Sequence, residues 1–208
     1  MSTLSLYETI QRIVQEELRR VQTAELAVVQ AQHPHAGESD QENYSCTVKL
    51  RNSGLLLKEV SVATPRIGQV SIPSVGDLVL VQFVGGDINA PIIVGSLYND
   101  EDRPPVNAKG QAILHLPLGA GDSDAVHIEV NSDGKREINI KLGSGLEINL
   151  RDDDPAVKIA VGSSATIQID NDGAITLESQ GKIAITGNEV NIEAKAQLKL
   201  KGATIDLN

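Results

Sequence analysis

Aromatic side chains are nearly absent. Tyr7, Tyr44, Phe83 and Tyr98 are the only Phe, Tyr or Trp residues among 208, and none occurs in the 110 residues from Asn99 onward. Hydrophobic residues nevertheless make up 40% of the chain. Rings usually carry much of a core, each burying about 150–250 Å². The C-terminal half must therefore build its interior from Val, Ile, Leu and Ala, or borrow apolar surface from other chains. That argues against a compact, self-contained domain in this half.

Other scarcities narrow the field further. A single cysteine, Cys46, rules out an intramolecular disulfide framework. Positive charge is in deficit: the net charge is −10, shared evenly between residues 1–105 and 106–208. A polyanion repels such a chain and base-stacking rings are few, so no nucleic-acid partner is expected. No apolar run approaches the roughly 18 residues that span a bilayer. A basic segment followed by an apolar one is missing at the N-terminus, so a protein made in the cytoplasm without a signal peptide is expected.

What is present is strongly periodic. Leu4, Leu6, Ile10, Ile13, Val14, Leu18 and Val21 recur at helical spacing, predicting a helix over 1–22. Ser2, Thr3 or Ser5 is its expected N-cap. As heptads, Tyr7, Val14 and Val21 fall at one seam position and Ile10 and Glu17 at the other, a weak seam that docks on a neighbour or on its own chain's sheet. Residues 23–105 read as a small Greek-key barrel. Strands at Leu26–Val29, Tyr44–Leu50, Leu55–Val62, Leu78–Phe83 and Pro91–Gly95 are separated by turns such as Asn52-Ser53-Gly54 and Gly85-Gly86-Asp87. Glu101-Asp102-Arg103-Pro104-Pro105 reads as a stiff exit, and 106–125 as a linker or neck.

Residues 126–208 are repetitive. Val126–Val130, Ile138–Leu142, Leu146–Leu150 and Val157–Val161 alternate, and from Ile167 apolar pairs return about every eight residues. Fixed-period strands indicate a β-solenoid or an intertwined β-prism. A single-chain parallel β-helix needs longer rungs and internal Asn or aromatic ladders, which do not appear. Three chains around one axis need only a thin aliphatic interior, into which rings do not fit. The same closure removes exposed sheet edges. The expectation is a homotrimer whose needle core is Ile128, Ile138, Ile140, Ile148, Ile159, Ile167, Ile169, Ile175, Leu177, Ile183, Ile185, Ile192, Leu198 and Leu200.

The run Val62-Ala63-Thr64-Pro65-Arg66-Ile67-Gly68, then Ile72-Pro73-Ser74-Val75-Gly76-Asp77 through Phe83, resembles the OB-fold of contractile-tail spike proteins. Gly85-Gly86-Asp87-Ile88-Asn89-Ala90-Pro91 through Asn99 continues the pattern. The resemblance is to the phage baseplate assembly protein V family, whose OB domain is shared with type VI secretion spikes. The N-terminal helix and Gly119-Ala120-Gly121-Asp122 look most like members from extracellular contractile injection systems. The likeness implies a mainly β protein: an N-terminal helix, an OB-fold β-barrel and a C-terminal triple-stranded intertwined β-helix, the trimeric needle. It implies a structural, non-enzymatic spike in a virion or phage tail-like particle. Such a spike joins hub and tube to the tip and punctures the target envelope on sheath contraction.

The partners so implied are two other copies, hub and baseplate proteins, a PAAR-type tip cap, effector cargo, and transient contact with the target membrane. Ile205, Leu207 and Asn208 are the expected docking platform for the cap. Some family members end in a histidine-rich, iron-binding apex; no histidine follows His127 here, which argues against one. The rival reading is a trimeric tailspike that binds surface carbohydrate, but such a shaft needs exposed rings or paired acids.

Remaining chemistry-bearing residues read as structural, with no catalytic, cofactor-binding or metal residues and no cofactor expected. His33-Pro34-His35 would share a strand face but lacks a further ligand at metal spacing. Cys46 reads as a buried thiol in an alternating strand. Asp152-Asp153-Asp154 has the oxygens for a hard cation, yet acidic turns are usually just solvated. Gly143-Ser144-Gly145 is a turn, since no helix or Lys follows it as a phosphate loop requires. No nucleophile elbow occurs, and the neck has no room for an inserted lysozyme domain.

Overall fold

A computed structural model describes residues 5–20, 23–121 and 123–206. Among positions read from the sequence, Ser2, Thr3, Leu4, Val21, Asp122, Leu207 and Asn208 lie outside these. The chain divides into two compact units, Met1–Pro105 and Val106–Asn208. Among the described residues no helix is long and apolar enough to cross a membrane.

The first unit opens with helix α1, Leu6–Arg20. Its start is a capping box. The Ser5 hydroxyl accepts the Glu8 N–H at 3.2 Å, and the Glu8 carboxylate accepts the Ser5 N–H at 2.8 Å. The apolar stripe read from the sequence is real but uncovered: Leu6, Ile10, Ile13 and Val14 are all exposed.

Five strands follow: β1 (Ala24–His33), β2 (Ser45–Leu50), β3 (Leu56–Val62), β4 (Leu78–Phe83) and β5 (Pro91–Leu97). They close a barrel in the order β1-β2-β3-β5-β4, an OB-like arrangement. Long β1 makes this possible, pairing antiparallel with β2 through one end and β4 through the other. Closure comes from the short parallel contact of Ser61 and Val62 with Ile92 and Ile93. Alternation along each strand sends Val29, Val48, Val60, Val79, Val81 and Ile93 inward, where each is at most 1% exposed. Phe83 is the one aromatic in this core; Tyr7 and Tyr98 are exposed.

The second unit is a seven-stranded antiparallel meander. Its strands are β6 (Gln111–Leu116), β7 (Val126–Asn131), β8 (Glu137–Leu142), β9 (Leu146–Arg151), β10 (Val157–Val161), β11 (Ala165–Ile169) and β12 (Ile175–Ser179), each bonded to its sequence neighbour. Two sequence expectations change here. The segment 106–125 is not merely a neck, because Gln111–Leu116 alternates as β7 does and pairs with it along its whole length. The triple-stranded intertwined β-helix is not what one chain forms. Up to Ser179 the chain turns back on itself at short polar turns, so each strand finds its partner locally. Among the described residues beyond Ser179 no strand is assigned and every residue is exposed. The octads there add no strand to the free outer edge of β12, where the sheet ends.

Candidate functional site

The C-terminal sheet is two-faced, and its register makes the division sharp. Residues directly opposite in an antiparallel ladder share a face. Leu114, Ile128, Ile140, Ile148, Ile159, Ile167 and Leu177 stand opposite one another in a single line across all seven strands. Ala112, Val130, Ile138, Leu150, Val157, Ile169 and Ile175 form a second line on the same face. Beside the first line, Leu116, Val126 and Leu142 begin a third, which Leu146, Val161 and Ala165 extend. No charged residue interrupts these rows.

In the single chain this face has no cover. Ile140, Ile148 and Ile159 on its inner strands are half-buried, whereas exposure reaches 53% at Leu116 and 72% at Ile175 on the two edge strands, each of which has one neighbour. Seven strands at about 4.8 Å and four residues at about 3.4 Å give a patch of roughly 400 Å², the size of the largest, often functional, patch on a typical monomer. Nine of the fourteen core positions expected from the sequence lie on it: Ile128, Ile138, Ile140, Ile148, Ile159, Ile167, Ile169, Ile175 and Leu177. The other five, Ile183, Ile185, Ile192, Leu198 and Leu200, lie exposed in the stretch without strands. The tip residue Ile205 is likewise exposed, while Leu207 and Asn208 are outside the described residues. Sequence reasoning missed the rows' flanking members, Leu114 and Leu116 above all. Their alternation was visible, but it sat in a segment read as linker.

The opposite face is polar and tied together. The buried Asn149 amide donates to the Asn139 carbonyl directly across β8 and β9. Arg151 lies 3.6 Å from Glu137, and Lys141 lies 3.8 Å from Glu147. His115 and His127 face each other across β6 and β7, a pair the sequence reading did not foresee because it needs β6. The acidic run is divided among three partners. Asp152 pairs with Arg136 and Asp153 with Lys135, while Asp154 accepts the Asn171 N–H. The hydrogen bond from Lys135 holds the Asp153 carboxyl below its ordinary range.

In the barrel, the two histidines of the His-Pro-His run go separate ways. His33 Nε2 bonds Thr47 Oγ1 at 3.0 Å, and His35 Nδ1 bonds Asp40 Oδ1 at 2.8 Å. Asp40 organises the β1–β2 loop. Desolvation alone would raise its carboxyl; hydrogen bonds from the Ala36 and Gly37 amides, the His35 ring and the Glu42 amide outweigh that and hold it low. Cys46 is fully buried, and burial followed by the Asp77 charge pushes its thiol up, away from thiolate chemistry. The loop between β3 and β4 leaves Ile67, Val70 and Val75 exposed, an apolar surface on the barrel itself.

The strands that close this barrel carry the decisive likeness. Residues 59–98 match the family described as the Type VI secretion system/phage-baseplate injector OB domain. The match runs from within β3 through β4 and the 3₁₀ turn Val84–Gly86 to the residue after β5. The matched stretch includes both partners of the parallel β3–β5 closure, and the resemblance to baseplate spikes read from 62–99 holds over this stretch. A curated relative is the actin cross-linking toxin VgrG1 of Vibrio cholerae serotype O1, 24% identical over 149 residues. The aligned region covers 70% of this chain but 12% of VgrG1, so the chain spans about an eighth of that protein's length.

Proposed function

We propose that this chain is the central spike of a contractile injection particle, a phage tail or a phage tail-like baseplate, and that it works as a homotrimer. The observation that carries the reading is the unbroken aliphatic face of β6–β12, in a chain whose barrel matches the injector OB domain over residues 59–98. Three such faces turned to a common axis would cover one another and leave the polar faces to water. Each half-exposed Ile or Leu that becomes fully covered would add about 1 kcal/mol. Residues 180–206 would continue as the intertwined needle, each chain lending the others the strand edges it lacks alone.

In this reading the barrels seat on hub and tube proteins, with the exposed Ile67, Val70 and Val75 loop available for that contact. The needle transmits the force of sheath contraction to the target envelope. Ile205, Leu207 and Asn208 of three chains form the platform for a PAAR-type cap, and an effector rides as separate cargo. The chain's part is mechanical rather than enzymatic, and the cross-linking named for VgrG1 is not carried over.

Light scattering on the purified chain tests the assembly. A monodisperse species at three times the 22.1 kDa chain mass is expected. A folded, stable monomer at micromolar concentration overturns the reading.

A further inference from the structure

We propose that His115 and His127 form a two-histidine site for a borderline divalent cation of the zinc and copper(II) class, on the polar face of the C-terminal sheet. The two residues are direct partners in the β6–β7 ladder. Their Nδ1 atoms approach to 3.2 Å, with the rings edge to face at 5.4 Å between centroids. Two imidazole nitrogens bound to one tetrahedral ion at 2.0–2.1 Å stand about 3.3 Å apart. The pair already holds that spacing.

The far ring nitrogens explain why the near ones converge. His115 Nε2 lies 2.9 Å from the Ala120 carbonyl, which only accepts, so Nε2 carries the hydrogen and neutral His115 has a bare Nδ1. His127 Nε2 lies 3.8 Å from a Glu129 carboxylate oxygen, and the Gln111 amide steadies that carboxylate at 2.7 Å. A carbonyl on the far nitrogen, as at His115, is one way metal-bound histidines are held, and the Glu129 carboxylate stands nearby for His127. In the neutral pair His127 donates its Nδ1 hydrogen to the bare His115 Nδ1 and leaves its Nε2 bare, 3.8 Å from the Glu129 carboxylate. A cation between the Nδ1 atoms would replace that hydrogen and leave His127 its hydrogen on Nε2, on the side of the carboxylate.

The surroundings are compatible. Lys141, opposite His127 on β8, is drawn toward Glu147 at 3.8 Å. No group of three or more His, Cys, Asp or Glu converges among the described residues, so water completes the coordination. Residues on the polar face point away from the aliphatic rows, so the site does not depend on the spike reading. Its effect would be to clasp the first two strands of the sheet.

The test uses the full chain after treatment with a chelator. Zinc titrated calorimetrically should bind at about one ion per chain, and copper(II) should give a paramagnetic resonance spectrum split by two imidazole nitrogens. His115→Gln and His127→Gln should each weaken zinc at least about tenfold, whereas His33→Gln with His35→Gln should leave it unchanged. The wild-type chain provides a check free of any folding defect: zinc should shift the ring nitrogen resonances of His115 and His127 alone among the four histidines. Absence of zinc binding to the wild-type chain overturns the proposal. So does binding that perturbs His33 and His35 instead.

Discussion

Gly143 shows how closely two backbone segments pass in the C-terminal sheet. A β-carbon there would collide with the Ser123 carbonyl oxygen, a backbone atom that no side-chain rotation removes. Gly143 follows Leu142 in the tight turn closed by the Gly145 N–H on the Leu142 carbonyl, so the turn itself is pinned. Gly143→Ala should destabilise the C-terminal unit by about 1–3 kcal/mol, as overpacking does, in urea unfolding. An unchanged midpoint would show that Ser123 yields freely. The sequence alone marked Gly143 as a turn residue. It did not show that the stretch before β7 lies against it, because that contact joins segments 20 residues apart.

Asp40 yields a prediction on pH at the same scale. Its carboxyl is held below its ordinary value of 3.8 by amides of the β1–β2 loop and the His35 ring. A depressed folded-state value means stabilisation that is fully present above the unfolded value and lost as pH falls through the folded one. The loop 36–42 should therefore stay ordered from neutrality down to about pH 4 and loosen below it. Amide exchange at Ala36, Gly37 and Glu42 measures this directly. Asp40→Asn should bring the loosened behaviour to neutral pH, and equal exchange at pH 3 and pH 6 after correction for intrinsic rates would refute the clamp.

Among the elements, α1 separates local signals from tertiary ones. Its capping box was written in Ser5-Leu6-Tyr7-Glu8, and the structure uses Ser5 among the three caps the sequence allowed. Since the apolar stripe is exposed, the helix relies on local terms more than a packed one does. Ser5→Ala should cost the helix about 0.5–2 kcal/mol. The loss should appear in far-ultraviolet circular dichroism at 222 nm without shifting the main unfolding transition of the barrel. A shift of that transition would mean the helix is packed after all. The barrel strands were legible for a comparable reason. Val79, Val81 and Phe83 alternate with outward residues, and turn residues punctuate each strand. What alternation does not encode is partner choice. Octads from Ile183 onward look like those at Ile167 and Ile175, yet only the latter two form strands in a single chain.

For the whole molecule, the missing rings become a question of what covers the aliphatic face. Ile148 lies on the central line of that face, opposite Ile140 on one side and Ile159 on the other. If three faces meet at an axis, Ile148→Asp places three carboxylates together in a dry interior, a burden no trimer of this kind absorbs. The variant should lose the trimer in light scattering while the barrel, whose core is separate, keeps its fold. Thr176→Asp puts the same charge on the exposed polar face and should assemble normally. Ring size offers an independent probe further along the chain. Ile183→Phe or Leu198→Phe keeps the surface apolar but adds bulk where a narrow threefold interior has no space, so heat resistance of the assembly should fall. A face that merely docks on some unrelated partner would tolerate that ring. Normal trimers from both phenylalanine variants, with unchanged melting, would therefore exclude the intertwined needle while leaving the barrel's family likeness intact.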